Sequence, residues 1–223
     1  MKMRRYLLYV LLSGLAIALM SGGVIAEETS TSTSGAPAAT GTTPAPFISF
    51  KNYPDHVFNV REYINGMQKG GHNLLIWRDP SVNLSQYSSM KVTEFGGRLL
   101  PEQNVFSYDR FITLFNSTFH SSLKLSQTDA PNTLLVEGAV VECNPGSRHV
   151  RMWIGTGAGK ATGAVVCEVY EPGKSQPCIR IYTRDTASGG GWSGGDSIAL
   201  LNNIFSGLAY RLAANLNTTL GVK

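Results

Sequence analysis

The stretch "AVVCEVYEPGKSQPCIRIYTRDT", residues 164–186, decides the fold because it predicts two antiparallel strands joined by a turn. Pro172 and Gly173 are residue types that the central positions of a tight turn favour. With these two residues at the centre of a two-residue hairpin, Cys167 lies opposite Cys178 and Gly163 lies opposite Tyr182.

The other periodic segments place this hairpin in an α+β fold. They are a helix over 56–68, strands at 73–77, 90–95 and 132–143, and helices over 107–125 and 196–216. The last two helices carry one apolar face each, and Asp196 is a candidate cap for the final one. We therefore predict an antiparallel sheet of about four strands with two amphipathic helices on one face, in the order β-α-β-β-β-α.

The chain is predicted to begin with segments outside this fold. Residues 1–26 read as a secretory signal peptide, which gives an inner-membrane anchor only if it stays uncleaved. Residues 27–46 form a low-complexity Ser/Thr/Ala/Pro tether. We expect residues 47–86 to be an N-terminal extension that packs on the domain, and residues 87–223 to be the α+β domain itself.

The net charge gives no support to nucleic-acid binding. Three of the 19 basic residues are Lys2, Arg4 and Arg5, within the predicted signal. A mature chain without them is close to neutral, so no basic surface large enough to attract nucleic acid is expected.

The cysteines predict one possible disulfide and no metal site. A Cys167–Cys178 bond fits the hairpin register and an exported protein, while two buried free thiols are the alternative. Cys143 is left over in either case. The four histidines are scattered through the sequence, and no metal or other cofactor is expected.

The segment "RMWIGTGAGKATG", residues 151–163, resembles a phosphate-binding loop but fails its requirements. Lys160 is followed by Ala161 instead of Ser or Thr, the first glycine position holds Ile154, and a strand follows instead of a helix. The alternation of glycines instead predicts structural positions on one strand face, with a bend or bulge before residue 160. The structural positions are Gly155, Gly157, Gly159 and Gly163. Their lack of side chains could reflect close approach of another element, a bulge, or aromatic rings that lie over the bare backbone.

The predicted hairpin divides its residues between two faces. Val150, Met152, Ile154, Ala164, Val166, Ile179 and Ile181 are expected beneath the helices. The opposite face is a possible partner-binding surface for an anionic or glycan group, formed by Arg151, Trp153, Arg180, Tyr182 and Arg184. Alternatively, this face is simply solvated, or it is covered by the 47–86 segment with its Phe47, Phe50, Tyr53 and Phe58.

A Gly-x-Ser-x-Gly match around Ser193 suggests a nucleophile elbow between a strand and a helix. The elbow arrangement needs an acid and then a histidine later in the chain, whereas the last histidine is His149. A flexible, glycine-rich lead into the last helix explains the same residues, so a serine hydrolase is only the alternative function.

The motif Arg-x-x-x-Gly-x-Gly-x-Gly-Lys, residues 151–160, together with "SGGGWSGGDS" and the closing apolar helix, resembles a bacterial envelope family known as domain-of-unknown-function family 4410. The similarity extends from about residue 74 to residue 216. Members are often lipoproteins, so the resemblance implies an exported α+β domain in a Gram-negative envelope. It implies no catalytic residues, and the missing lipobox cysteine favours a soluble periplasmic form here.

These observations together predict a non-enzymatic periplasmic module for interaction or envelope assembly. Its expected partner is an envelope protein or an anionic or glycan surface. Contact with a membrane is expected only through an uncleaved signal segment.

Overall fold

A seven-stranded mixed sheet forms the centre of the protein in the computed structural model, which describes residues 47–102, 107–128, 132–146, 159–188 and 196–221. The strands are β1 (Gln68–Gly71), β2 (Leu74–Arg78), β3 (Ser89–Val92), β4 (Ser126–Gln127), β5 (Leu134–Asn144), β6 (Ala161–Tyr170) and β7 (Pro177–Ala187). The helices among these residues are α1 (Val60–Tyr63), α2 (Asp109–Ser122) and α3 (Ser197–Thr219). The predicted signal and tether, residues 1–46, lie outside the described residues.

The strand order is β1-β2-β7-β6-β5-β3-β4, and β3 runs parallel to both β4 and β5. The prediction of an antiparallel sheet of about four strands is therefore wrong. Helix α2 connects β3 to β4, and a helical crossover of this kind returns the chain in the same direction. The missed edge strands β1 and β4 are only four and two residues long, too short to show a period.

Helices α2 and α3 cover one face of the sheet and form the main core with it. The apolar stripes predicted for both helices are buried: Phe111, Phe115, Phe119, Leu201, Ile204, Phe205, Leu208, Leu212 and Leu216. The Asp196 side chain caps α3 by accepting a hydrogen bond from the Ile198 backbone N–H. Within the described residues, no helix combines the length and apolar character needed to cross a membrane.

Residues 47–66, which we call the strap, lie across the opposite face of the sheet. Their buried aromatic side chains pack on small residues of β5 and β6 in a second cluster: Phe50, Tyr53, Tyr63, Ala139, Val141, Ala164 and Val166. The helix expected over 56–68 is limited to α1, because Asn59 caps its start and Gly66, at φ +76°, leaves the helical region. The strands β1 and β2, also within 47–86, belong to the sheet itself.

The β6–β7 hairpin has a different register from the predicted one. Cys167 lies opposite Ile181, and Gly163 lies opposite Asp185, because the connection spans residues 171–176 instead of two residues and because Cys178 is an extra residue in β7. The difference is an odd number of positions, which exchanges the faces of one strand relative to the other. Ala164 and Val166, expected beneath the helices, therefore lie beneath the strap, whereas Ile179 and Ile181 keep their predicted side.

The same register separates the two cysteines of the predicted disulfide. Cys167, Cys178 and Cys143 are all buried and carry free thiols. Cys178 is the extra residue of β7 at a register shift, and its thiol donates a hydrogen bond to the Val169 carbonyl at 3.3 Å.

Gly159 and Gly163 are the two predicted structural glycines that lie within the described residues. A Cβ on Gly163 would lie 2.8 Å from the Ile204 side chain of α3, so close approach of another element explains this glycine. Gly159 adopts φ +65° just before β6 begins. The predicted structural positions Gly155 and Gly157, and the predicted core residues Val150, Met152 and Ile154, lie outside the described residues.

Candidate functional site

A shallow groove of about 480 Å³ lies at the end of β2 and β7, beyond the part of the sheet that the strap covers. We call it the β7 groove. It contains two residues of the predicted partner-binding face, Tyr182 and Arg184. Its lining residues are Lys69, Gly71, Asn73, Leu74, Leu75, Tyr182, Arg184, Asp185 and Thr186.

Arg184 is the half-exposed cation of the β7 groove, and it is held by a carboxylate on β5. Its Nε donates to Glu142 Oε2 at 2.7 Å, and its Nη2 donates to Glu142 Oε1 at 2.9 Å. Burial raises the pKa of Glu142, but hydrogen bonds from Arg184 and Thr162 and the Arg184 charge outweigh it, so the pKa is lowered. The pair thus fixes the guanidinium in a bidentate geometry at the rim of the groove.

Tyr182 joins the β7 groove to the face beneath the strap. It lines the groove, yet only 7% of its surface is exposed, and it packs in the cluster of strap aromatics. Burial, together with the Glu142 charge, raises the pKa of Tyr182 to about 12. Its hydroxyl is therefore a neutral hydrogen-bonding group at physiological pH.

Arg180, expected on an open binding face, is instead 1% exposed and clamped beneath the strap. Its Nη2 donates to the backbone carbonyls of Ile48 at 3.0 Å and Tyr63 at 2.8 Å. The guanidinium also lies over the Phe47 and Tyr63 rings. The alternative in which the strap covers this face therefore applies at Arg180. Arg151 and Trp153 lie outside the described residues.

Glu168 is the buried counter-charge of Arg180, with 3.7 Å between Oε1 and the Arg180 Nε. It also accepts hydrogen bonds from the Ser49 hydroxyl at 2.6 Å, the Phe50 backbone N–H at 3.1 Å and the Tyr170 hydroxyl at 2.5 Å. Burial and the Glu168 charge raise the pKa of Tyr170 well above its ordinary value. A single carboxylate thus binds the strap by both main chain and side chain.

Part of this chain matches a known family. Residues 116–190 match the family described as Domain of unknown function (DUF4410). The predicted family resemblance is confirmed. The DUF4410 match begins within α2 and extends just past β7, so it includes Glu142, Glu168, Arg180 and Arg184 but not the strap.

Two solved structures show weak likenesses to the chain. PelC from Paraburkholderia phytofirmans, a dodecamer, has a TM-score of 0.37 and 11% identity over 61% of this chain and 96% of that one. A candidate lipoprotein from Caulobacter crescentus has a TM-score of 0.38 and 14% identity over 63% of this chain and 97% of that one. No curated protein sequence matches the chain.

Sequence reasoning missed the two carboxylates that organise this face of the DUF4410 region. Glu142 and Glu168 each interrupt an apolar strand, in "AVVEC" and "AVVCEVY". A charge within a buried strand is uncommon unless it is paired, and this signal could have identified both residues.

The cysteine thiols of the chain are all buried. Burial raises the pKa of Cys143 to about 12 and that of Cys178 to about 11, so both thiols are protonated and unreactive at neutral pH. No group of three or more potential ligand side chains is placed to hold a metal ion within the described ranges. Ser193 lies outside those ranges.

Proposed function

We propose that the chain is an exported, non-enzymatic interaction module of the bacterial envelope. The predicted secretory signal over residues 1–26, the tether that follows it and the DUF4410 match support this proposal. Cleavage of the signal gives a periplasmic form, and retention gives a form anchored in the inner membrane.

The β7 groove is the observation that carries the binding role. The exposed Lys69 and the half-exposed Arg184 flank Tyr182 and the partly buried Leu75. Arg and aromatic side chains are enriched in protein interfaces, and positive charges beside an aromatic ring suit a partner with anionic groups. Glu142 uses the Nε and Nη2 groups of Arg184, and no described residue accepts from Nη1, whose donors suit such a partner.

Site-specific photocrosslinking in cells tests this role. A photoreactive amino acid at position 69 lies in the groove, while the same residue at exposed Lys174, in the β6–β7 connection at the other end of these strands, is a matched control. We expect a discrete adduct from position 69 that is absent from position 174. Mass spectrometry of the adduct then distinguishes a protein partner from a glycan.

Two further variants test the part of the predicted binding surface outside the described residues. Arg151→Ala and Trp153→Ala should lower the yield of the position-69 adduct without lowering the melting temperature. Absence of any adduct from position 69, or identical adducts from both positions, would contradict the proposed binding site.

A further inference from the structure

Two arginines bind the main chain of the strap. Arg98 donates from Nη2 to the Phe50 carbonyl at 2.9 Å and from Nη1 to the Tyr53 carbonyl at 2.8 Å. Arg180 binds the carbonyls of Ile48 and Tyr63 in the same way. Two guanidinium groups thus bind four strap carbonyls.

Two further contacts reach the strap main chain, beside side-chain contacts made by Ser49, Lys51 and Asp55. Glu168 accepts the Phe50 backbone N–H, and the Arg98 carbonyl accepts the His56 backbone N–H at 2.8 Å. Groups on the sheet and on the residue 96–100 loop therefore supply both donors and acceptors to the strap main chain. Such contacts recognise a polypeptide in a given conformation with little regard to its side chains.

Apolar side chains of the strap give this recognition its sequence preference. Phe50, Tyr53 and Tyr63 are buried against Leu99 of the loop and against Ala139 and other small residues of the sheet. Large aromatic side chains that fill such surfaces commonly dominate binding energy. The favoured ligand is therefore a short segment with aromatic residues.

The strap is also separable from the rest of the fold. Its cluster of buried residues shares no member with the main core beneath α2 and α3. Regular structure within it is limited to α1 and a three-residue 3-10 helix at Phe50–Asn52, too short to be stable alone. Opening would return the buried Glu168 and Arg180 charges to water, which offsets part of the cost of losing the contacts.

We propose that the strap is a detachable, intramolecular occupant of a sheet face that binds polypeptide main chain. The strap leaves this face as one unit while the sheet and the α2–α3 layer stay folded. The uncovered face, with Arg98, Glu168 and Arg180, then accepts an aromatic-containing peptide segment. This surface adjoins the β7 groove at Tyr182, and the inference does not depend on the proposed envelope role.

Hydrogen exchange of the full chain tests detachment. We expect the hydrogen-bonded amides of the strap, such as those of Phe50 and His56, which donate to Glu168 and to the Arg98 carbonyl, to exchange together and before those of β5, β6 and α3. Ser49→Ala removes a hydrogen bond to a buried carboxylate and should speed strap exchange about tenfold or more, with sheet exchange unchanged. Ser85→Ala, outside the strap, is the matched control and should leave strap exchange unchanged.

Peptide binding tests recognition by the uncovered face. A labelled peptide of residues 47–66 should bind the full-length Phe50→Ala variant, whose own strap is weakened, more tightly than the wild-type chain. Adding Arg98→Met to that variant should weaken binding at least about tenfold, because two charge-assisted bonds to carbonyls are lost. Fluorescence anisotropy measures both effects.

Either of two results would overturn the inference. The first is strap exchange that occurs only with global unfolding, with the same denaturant dependence as the sheet. The second concerns variants whose hydrogen exchange shows an open strap and a folded sheet. In these proteins, failure of the peptide to bind Phe50→Ala, or binding that Arg98→Met leaves unchanged, would contradict the inference.

Discussion

Glu168 accepts the hydroxyl hydrogen of Ser49 at 2.6 Å, although the two residues are 119 positions apart in the chain. The contact joins the centre of the sheet to the segment that directly follows the predicted tether. Because Glu168 also lies beside Arg180, the strap closes over a buried ion pair that its own backbone helps to satisfy. Beneath the closed strap, each of these two charges is therefore tolerated only while its partner is present.

The first prediction concerns the coupling of this ion pair. Glu168→Leu and Arg180→Met each leave an uncompensated buried charge, so each single change should lower the free energy of unfolding by up to about 3–5 kcal/mol. The double variant should cost less than the sum of the two, because it leaves no unpaired charge. Urea denaturation of the three variants measures the coupling, and additive losses would show that the two charges do not depend on each other.

Helices α2 and α3 could be predicted from sequence because their apolar residues repeat at helical spacing over several turns. The buried stripe of α3 extends from Leu201 to Leu216, and no other secondary structure produces that spacing. The edge strands gave no such signal, since β1 is exposed throughout and β4 has two residues. The parallel pairing of β3 was not predictable, because it depends on contacts distant in sequence.

The candidate site could be predicted only in part for a related reason. Tyr182 and Arg184 line one groove, and their common side was predictable because residues two apart in a strand share a face. Their environment was not predictable, since it is set by the strap and by Glu142 on another strand. The predicted hairpin register was wrong because residues 175–176 lengthen the connection and Cys178 adds one more residue to β7.

A second prediction concerns a glycine that the alternating pattern did not include. A Cβ on Gly138 would lie 2.0 Å from the Phe95 ring and 2.5 Å from the Val166 carbonyl oxygen. The carbonyl oxygen belongs to the backbone of β6, so it cannot shift without distorting the sheet. Gly138→Ala should therefore lower the free energy of unfolding by about 1–3 kcal/mol or more. Gly96→Ala is the control, because nothing lies within 4 Å of a Cβ there. Equal melting temperatures for the two variants would contradict the close approach.

A third prediction follows from the lowered pKa of Glu142. Its folded-state pKa lies below the ordinary value of 4.5, so its pairing with Arg184 adds stability above that pH. This contribution is lost as the pH falls through the folded-state pKa. Because the pair is partly exposed, Glu142→Gln should cost only about 0.5–1 kcal/mol at neutral pH.

Denaturant titrations at a series of pH values measure this difference between wild-type and Glu142→Gln proteins. The difference in unfolding free energy between the two proteins should be constant from pH 7 to pH 5, decrease below pH 4.5 and decrease with added salt. Glu102→Gln, which changes an exposed carboxylate, is the control and should show a smaller gap. A gap that persists at pH 2 would assign the effect of Glu142 to packing rather than to charge.

The last prediction concerns Ser193 and the hydrolase alternative. Asp196, the only acid after this serine, caps α3 by accepting the Ile198 N–H at 3.0 Å, so its carboxylate already has a structural role. The His120 ring is hydrogen-bonded to the Gln127 side chain at 2.7 Å, and the last histidine of the chain precedes the serine. The chain therefore lacks a catalytic triad in the order found in the elbow enzymes.

We expect no labelling of the folded protein by a serine-directed fluorophosphonate probe, with a known serine hydrolase as the positive control. Labelling that is lost in Ser193→Ala, at an unchanged melting temperature, would instead establish an activated nucleophile and reverse the assignment of the chain as a non-enzymatic module.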